Sequence, residues 1–242
     1  MDYTLVTGAT SDIGIQICRT LEDSGHCLLL TDLKEESLED LRKTLNNPQR
    51  HLILPLDLSD VEKSKNDLTA FISEEGIQVS KSVFAAGIFA LKPLRMIDYA
   101  FLKKSFDIAL FSVFAITQVL ASKKTNGDAL QNIVIISSVN SKIGVKGYSV
   151  YASLKASMLG WMKSMAVELA PRVRVNAVLP GGIKTRTTQF LYDASGAETN
   201  PRYLLGDGKC DDIANMIDFL LSEKSKWITG QEFIVDGGLT CN

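Results

Sequence analysis

The segment Tyr3-Thr4-Leu5-Val6-Thr7-Gly8-Ala9-Thr10-Ser11-Asp12-Ile13-Gly14 passes from a short apolar run, through a glycine turn, into a helical pattern that extends to about Ser24. A strand that feeds a helix in this way leaves free backbone N–H groups, and the positive end of the helix dipole, facing whatever lies beyond the strand end. That is an anion site suited to a phosphate. Gly8 permits the tight turn and Gly14 lets the helix close onto the sheet. A pair of glycines would also fit a purely structural turn, so the weight falls on the residues downstream of it.

Eighteen residues after Gly14, at the end of the next apolar run, stands Asp32. A carboxylate there can accept hydrogen bonds from both hydroxyls of an adenine ribose, and it would repel a 2′-phosphate. With the uncharged Ser11 in the turn, no basic residue offers a partner for that phosphate, so NAD is expected over NADP. The bland alternative for Asp32 is a cap on the helix after it.

Working outward, apolar runs recur at Tyr3 to Thr7, Cys27 to Thr31, Leu52 to Leu56, Ser82 to Ala86, Ile133 to Ser137, Val173 to Leu179 and Phe233 to Val235. Several are apolar at consecutive positions, which suits strands covered on both faces. Helical patterns separate them at Ile13 to Ser24, Lys34 to Leu45, Val61 to Glu75, Tyr99 to Ser122, Tyr151 to Ala170 and Asp211 to Leu221. The alternation predicts an α/β fold, a doubly wound parallel sheet of about seven strands with helices on both faces, the Rossmann arrangement. Without an interior linker or repeat, a single domain is expected over residues 1–242. The stretch Lys184 to Lys209, with Gly196, Pro201, Gly206 and Gly208, interrupts the alternation and reads as a lid.

Composition narrows the function classes. The 26 basic and 28 acidic residues leave a net charge of −2, without the basic excess that a nucleic-acid surface needs. Four scattered cysteines without a CxxC spacing and two histidines, His26 and His51, argue against a metal site and fit thiols in a reducing compartment. The longest uncharged stretch, Ile108 to Ser122, is short and contains Ser, Thr and Gln, so no membrane span is expected. No export signal is read at the start, and a cytoplasmic location is the expectation.

Ser138 follows the fifth apolar run, and thirteen residues later comes Tyr151-Ala152-Ser153-Leu154-Lys155, a YxxxK pattern at the start of a long helix. With the Thr-Gly-x5-Gly turn, this resembles the short-chain dehydrogenase/reductase family in its compact form, over essentially the whole chain. Within the family it is most similar to the 3-oxoacyl-carrier-protein reductase group and its sugar, steroid and polyol relatives. The resemblance implies an NAD(P)-dependent oxidoreductase interconverting a secondary alcohol and a ketone. It implies cofactor contacts at Gly8, Thr10, Ser11, Asp12, Ile13, Gly14 and Asp32, at Asp57-Leu58 beside the adenine, and at Ala85-Ala86-Gly87. Pro180, Gly181, Ile183 and Thr185 match the nicotinamide-contacting segment. Ile228-Thr229-Gly230-Gln231 through Asp236-Gly237-Gly238 resembles the family's C-terminal signature. The resemblance also implies a homotetramer built on the Tyr99 to Ser122 and Tyr151 to Ala170 helices, with Phe111, Phe114, Leu159 and Trp161 as apolar contributors.

The chemistry can be argued from the residues. Tyr151 and Lys155 are four apart, so on a helix their Cβ atoms lie about 5–6 Å apart on one face. A free tyrosine has a pKa of about 10, and a lysine ammonium beside it would lower that value by about 1–3 units. Tyr151 is thus the expected general acid or base. Lys155 is expected to tune it and to hold the nicotinamide ribose. Ser138 would hold the substrate oxygen.

Three departures from the family pattern stand out. Asp12 replaces the middle glycine of the turn, where it could cap the helix or disturb the pyrophosphate. Phe84 and Ala85 replace two asparagines that brace neighbouring strands, a change expected to touch stability more than activity. Ala109 occupies the place of an asparagine that helps hold a proton-relay water. On the substrate side, residues after Ser138, the Ile143 to Ser149 stretch and the lid, with Phe190, Leu191, Tyr192, Tyr203, Leu204, Arg186 and Arg202, are the expected walls. Arg172 and Lys123-Lys124 could receive an acidic carrier protein. The competing readings are a non-catalytic NAD-binding protein, suggested by Ala109 and Asp12, and a sugar-modifying relative. The extended sugar enzymes carry a second domain, for which no room is expected in this chain.

Overall fold

The computed structural model describes residues 2–89, 91–190 and 202–241. Among them, seven strands form one parallel sheet: β1 Asp2–Thr7, β2 Cys27–Asp32, β3 Leu52–Pro55, β4 Gln78–Phe84, β5 Asn132–Ile136, β6 Arg174–Pro180 and β7 Glu232–Val235. The helices are α1 Asp12–Asp23, α2 Glu35–Thr44, α3 Val61–Glu75, α4 Tyr99–Phe106, α5 Ser112–Ala121, α6 Lys123–Asn126, α7 Ser149–Glu168 and α8 Cys210–Leu221. A π turn, Asp107–Phe111, joins α4 to α5.

The spatial order β3-β2-β1-β4-β5-β6-β7 is that of a doubly wound sheet. The chain reverses its direction of travel between β1 and β4, which pair in register from Thr4↔Lys81 to Thr7↔Phe84. Connections leave the carboxyl ends of these two strands on opposite faces, and the gap between them is where such sheets bind ligands.

Consecutive strand residues face opposite ways, and both faces are covered. Leu5, Leu29, Ile133, Ile135, Val175 and Ala177 pack with Leu68 and Ile72 of α3, Ile116 of α5 and Met162 of α7. Val6, Leu28, Leu30, Val134 and Val178 pack on the other face with Ile17, Leu21, Leu38, Ile213 and Ile217. The α4–α5 run, Tyr99–Ala121, is 23 residues long and apolar enough by length and composition to cross a bilayer, longer than the uncharged stretch suggests. Yet 61% of its most apolar window is buried against the rest of the chain, and that packing accounts for its apolarity.

A buried polar knot fixes α1 to β2 and to the loop before β3. His51 Nδ1 accepts the Leu28 N–H at 3.1 Å, so its Nε2–H donates to Glu22 Oε1 at 3.0 Å. Glu22 also accepts the Asn46 and Asn47 N–H groups at 2.8 and 2.7 Å. Burial opposes ionisation of Glu22, but these donors outweigh it and hold its carboxyl below the usual range. A depressed folded value means the stabilisation is present above the unfolded carboxylate value of about 4.3 and is lost as pH falls through the folded value. Glu22→Ala strands the buried His51 Nε2–H and removes the acceptor of two part-buried N–H groups, and is expected to cost about 2 kcal/mol by denaturant titration at neutral pH, with a smaller difference in acid.

Candidate active site

At the carboxyl edge of β1, Gly8 turns the chain at φ 68°, and a Cβ there would meet Ala86 at 2.8 Å. Gly14 is required on packing grounds, because a Cβ would lie 2.1 Å from Gly8 O. Ser11, not Asp12, caps α1: its Oγ accepts the Gly14 N–H at 3.0 Å. The capping expected of Asp12 is therefore corrected. Asp12 is the first helical residue and its carboxylate turns to Arg186, accepting from Nε at 2.6 Å and from the backbone N–H at 2.5 Å. The first N–H groups of the helix, on Asp12 and Ile13, point beyond its end as in any helix start.

Asp32 is not a helix cap, since α2 begins at Glu35 and its N-cap, Lys34, makes no side-chain bond. Instead the Asp32 Oδ2 accepts from Thr10 N at 3.0 Å and Thr10 Oγ1 at 2.7 Å, and Oδ1 from Leu33 N at 2.8 Å. The glycine turn thus holds the carboxylate at the strand end. Asp57 is held below the usual carboxylate range, chiefly by hydrogen bonds from the Ser59 hydroxyl and N–H, and Leu58 beside it is buried.

A cleft of about 630 Å³ opens from Ser11, Asp12 and Ile13 past Ala85 and Gly87 to Ser138, Tyr151, Lys155, Pro180, Gly181, Ile183 and Thr185. Gly8, Thr10, Gly14, Asp32, Asp57, Leu58 and Ala86, expected at the same site, do not line this cleft. Ala86 N–H donates to Thr7 Oγ1 at 3.3 Å, tying β4 to β1. Phe84, in place of an asparagine, is buried with its ring edge-on to Trp161 at 6.3 Å. Packing and Thr7 supply the bracing between strands.

Ser138, Tyr151 and Lys155 meet at the cleft floor. Lys155 is only 5% exposed, and its Nζ donates to Ile136 O at 2.7 Å. Burial pushes its pKa down to about 8. The Nζ lies 5.8 Å from the Tyr151 ring centroid. Tyr151 shares a hydrogen bond with Ser138, but burial outweighs it and lifts the phenol above its usual value. The lowering expected from Lys155 is therefore reversed in this arrangement. The ammonium is bound to a carbonyl, lies over the ring at 5.8 Å from its centroid and is itself disfavoured by burial.

The Ser138 Oγ accepts from the backbone N–H of Asn140 at 3.2 Å and from its side-chain amide at 3.4 Å. Asn140 lies among the residues after Ser138 expected as a wall, but its hold on Ser138 is a role that sequence reading missed. Phe89 was also missed, whereas Tyr148 lies in the expected Ile143 to Ser149 wall: their rings stand edge-on to Tyr151 at 5.2 and 6.0 Å and wall the cleft. Phe190 joins them, 6.4 Å from Phe89. Tyr203 OH accepts the Gly182 N–H at 2.8 Å, whereas Leu191, Tyr192 and the middle of the lid stretch lie outside the described residues.

Two expectations change with the topology. Ala109 sits in the π turn with no exposed surface, inside the apolar cluster of α3, α5 and α7, so the relay asparagine is replaced by packing. Helices run antiparallel to their strands, so Lys123, after α5, and Arg172, after α7, lie at the amino edge of the sheet, opposite the cleft. Both also pair with Asp128, Lys123 at 3.4 Å. Leu159 and Trp161 are buried in the protein's own core, whereas Phe111 and Phe114 remain exposed.

The donor set fits a dinucleotide: a carboxylate fixed for a ribose, a helix start for the phosphates, and a buried ammonium in the cleft lining. The comparisons agree with this geometry. The family model described as enoyl-(acyl carrier protein) reductase matches residues 8–240. The 3-oxoacyl-[acyl-carrier-protein] reductase FabG of Thermotoga maritima is 32% identical over 241 residues, covering 97% of this chain and 96% of that protein. A short-chain dehydrogenase/reductase structure from Brucella melitensis, titled glucose/ribitol dehydrogenase, superposes with a TM-score of 0.89 at 30% identity, covering 98% of this chain and 96% of that one. A 4-hydroxyisoleucine dehydrogenase complexed with NADH and succinate gives a TM-score of 0.85 at 26% identity, covering 99% and 100%. Sequence, fold and site thus agree that the chain belongs to the short-chain dehydrogenase/reductase family of oxidoreductases.

Proposed function

We propose that the protein reduces a ketone to a secondary alcohol, and reverses the reaction, by hydride exchange with NAD(H). The observation that carries this is the meeting of the Ser138 and Tyr151 hydroxyls, with Lys155 beside them, at the floor of the cleft. A bound reduced nicotinamide supplies the hydride. The chain's own residues handle the oxygen. Tyr151 keeps its proton at neutral pH, because burial raises its pKa, and so can donate it as negative charge develops on the substrate oxygen. Ser138, oriented by Asn140, hydrogen-bonds the same oxygen from a second direction. Lys155 supplies positive charge and donors to the nicotinamide ribose.

Asp32 supports NAD over NADP. Its carboxylate is locked by Thr10 facing the adenine ribose position, where a 2′-phosphate would meet a negative charge with no basic partner in the turn. Run side by side, kcat/KM with NADH is expected to exceed that with NADPH by at least about 10-fold, the size of one charge-assisted hydrogen bond. A lower KM for NADPH would overturn the preference.

The aromatic wall of Phe89, Tyr148 and Phe190 suits a substrate with an apolar body, a 3-oxoacyl group among them. Relatives named for carrier-bound substrates extend that class to an acyl-carrier-protein thioester, approaching from the cleft side. A cytoplasmic homotetramer remains part of the proposal, with exposed Phe111, Phe114 and Tyr99 on the α4–α5 side as its support. A ketone and alcohol panel with both cofactors tests the whole reading.

A further inference from the structure

The residue that replaces the family's middle glycine does not stand alone. Asp12 lies on one lip of the cleft, and Arg186, just after Thr185, on the other. The carboxylate takes the Arg186 Nε–H and backbone N–H, while Nη2 donates to Thr10 O at 2.9 Å. The glycine turn and the segment after β6 are thus joined directly across the mouth of the cleft. A pair this exposed, 71% for the Arg186 side chain and 25% for Asp12, contributes little to stability. Its position is what matters. A lone carboxylate at the first turn of α1 would repel the pyrophosphate that this helix start is shaped to receive.

We propose that Asp12 and Arg186 form a charge-compensated clasp over the pyrophosphate of a bound dinucleotide, with Arg186 a cofactor-holding residue. The guanidinium cancels the Asp12 charge and is held by it at the cleft edge. Of the five guanidinium donors, Asp12 and Thr10 use two, which leaves the others able to meet phosphate oxygens. Asp12 therefore acts as the anchor that positions Arg186, and the substitution at the glycine position is tolerated only together with it. The clasp rests on the dinucleotide reading proposed for the cleft.

The test is a double-mutant cycle on NADH affinity, read from nicotinamide fluorescence on binding, with thermal melting as the folding control. Arg186→Ala should weaken NADH at least about 10-fold, because it removes charge-assisted bonds and leaves Asp12 bare. In the Asp12→Gly background the same change should cost no more than about 3-fold, a coupling that independent residues would not show. ADP should follow the same pattern, while adenosine, which lacks the pyrophosphate, should bind all four proteins alike. The clasp is wrong if Arg186→Ala costs less than about 3-fold, or if it costs the same in both backgrounds. If the unmodified protein binds neither NADH nor NADPH, the dinucleotide reading itself fails and the clasp falls with it.

Discussion

Tyr151→Phe is expected to fold and to bind NADH as the unmodified protein does, while losing at least about 10²-fold in turnover of a ketone substrate. The ring's packing should survive, because its edge contacts with Phe89 and Tyr148 do not use the hydroxyl. What disappears is the proton donor and the partner of Ser138. The raised phenol value makes the direction of the effect clear: at neutral pH the protonated form prevails, so the substitution removes a general acid that is already charged with its proton. Unchanged melting and NADH affinity with collapsed turnover would locate the loss in chemistry. Full turnover would remove Tyr151 from the mechanism.

Lys155→Met should show opposite effects on function and stability. The ammonium is buried, with Ile136 O as its hydrogen-bond partner and, among the described residues, no carboxylate paired with it. Its folded pKa of about 8 lies below the free lysine value of about 10.4. Below pH 8 both folded and unfolded chains are protonated and the burial penalty is fully present. Between pH 8 and 10.4 the unfolded chain holds a proton that the folded one has released, so stability rises with pH and then levels off. The penalty relieved is about 3 kcal/mol, and loss of the bond to Ile136 O returns about 1, so Lys155→Met should be about 2 kcal/mol more stable at neutral pH. Its stability should also lack the rise above pH 8. Turnover should fall at least about 10²-fold and NADH should bind more weakly, because the ribose loses its donor. A variant less stable than the unmodified protein, or one with normal NADH affinity, would contradict this account of Lys155.

Much of the scaffold was legible because both faces of the sheet are covered. Strands buried on two sides must be apolar at consecutive positions, so the inner strands were visible as short runs, the half-buried edge strands β3 and β7 showed shorter ones, and Val61–Glu75 was bounded at both ends. The start of β4 was not, because Gln78 and Lys81 interrupt its apolar pattern. The site residues were legible where spacing along the chain carries the geometry, as with Tyr151 and Lys155 on one helix. Pairings between distant segments were not. Arg186 reaches Asp12 across 174 positions, and Thr10 reaches Asp32 across a strand and a helix. The sign of the Tyr151 shift was also hidden, because it depends on burial, which the spacing of two residues does not report. The distance between the Lys123 and Arg172 pair and the cleft follows from strand direction, a property of the assembled sheet.

The central claim is that this cleft moves hydride between a nicotinamide and a carbonyl carbon. Its most direct test is single-turnover reduction by protein loaded with NADH carrying deuterium at the transferable position, across a panel of 3-oxoacyl thioesters, cyclic ketones and keto-sugars. The account predicts that at least one ketone with an apolar body is converted to its secondary alcohol, with one deuterium on the former carbonyl carbon for each NADH oxidised. Tight NADH binding with no deuterium transferred to any member of the panel would contradict it.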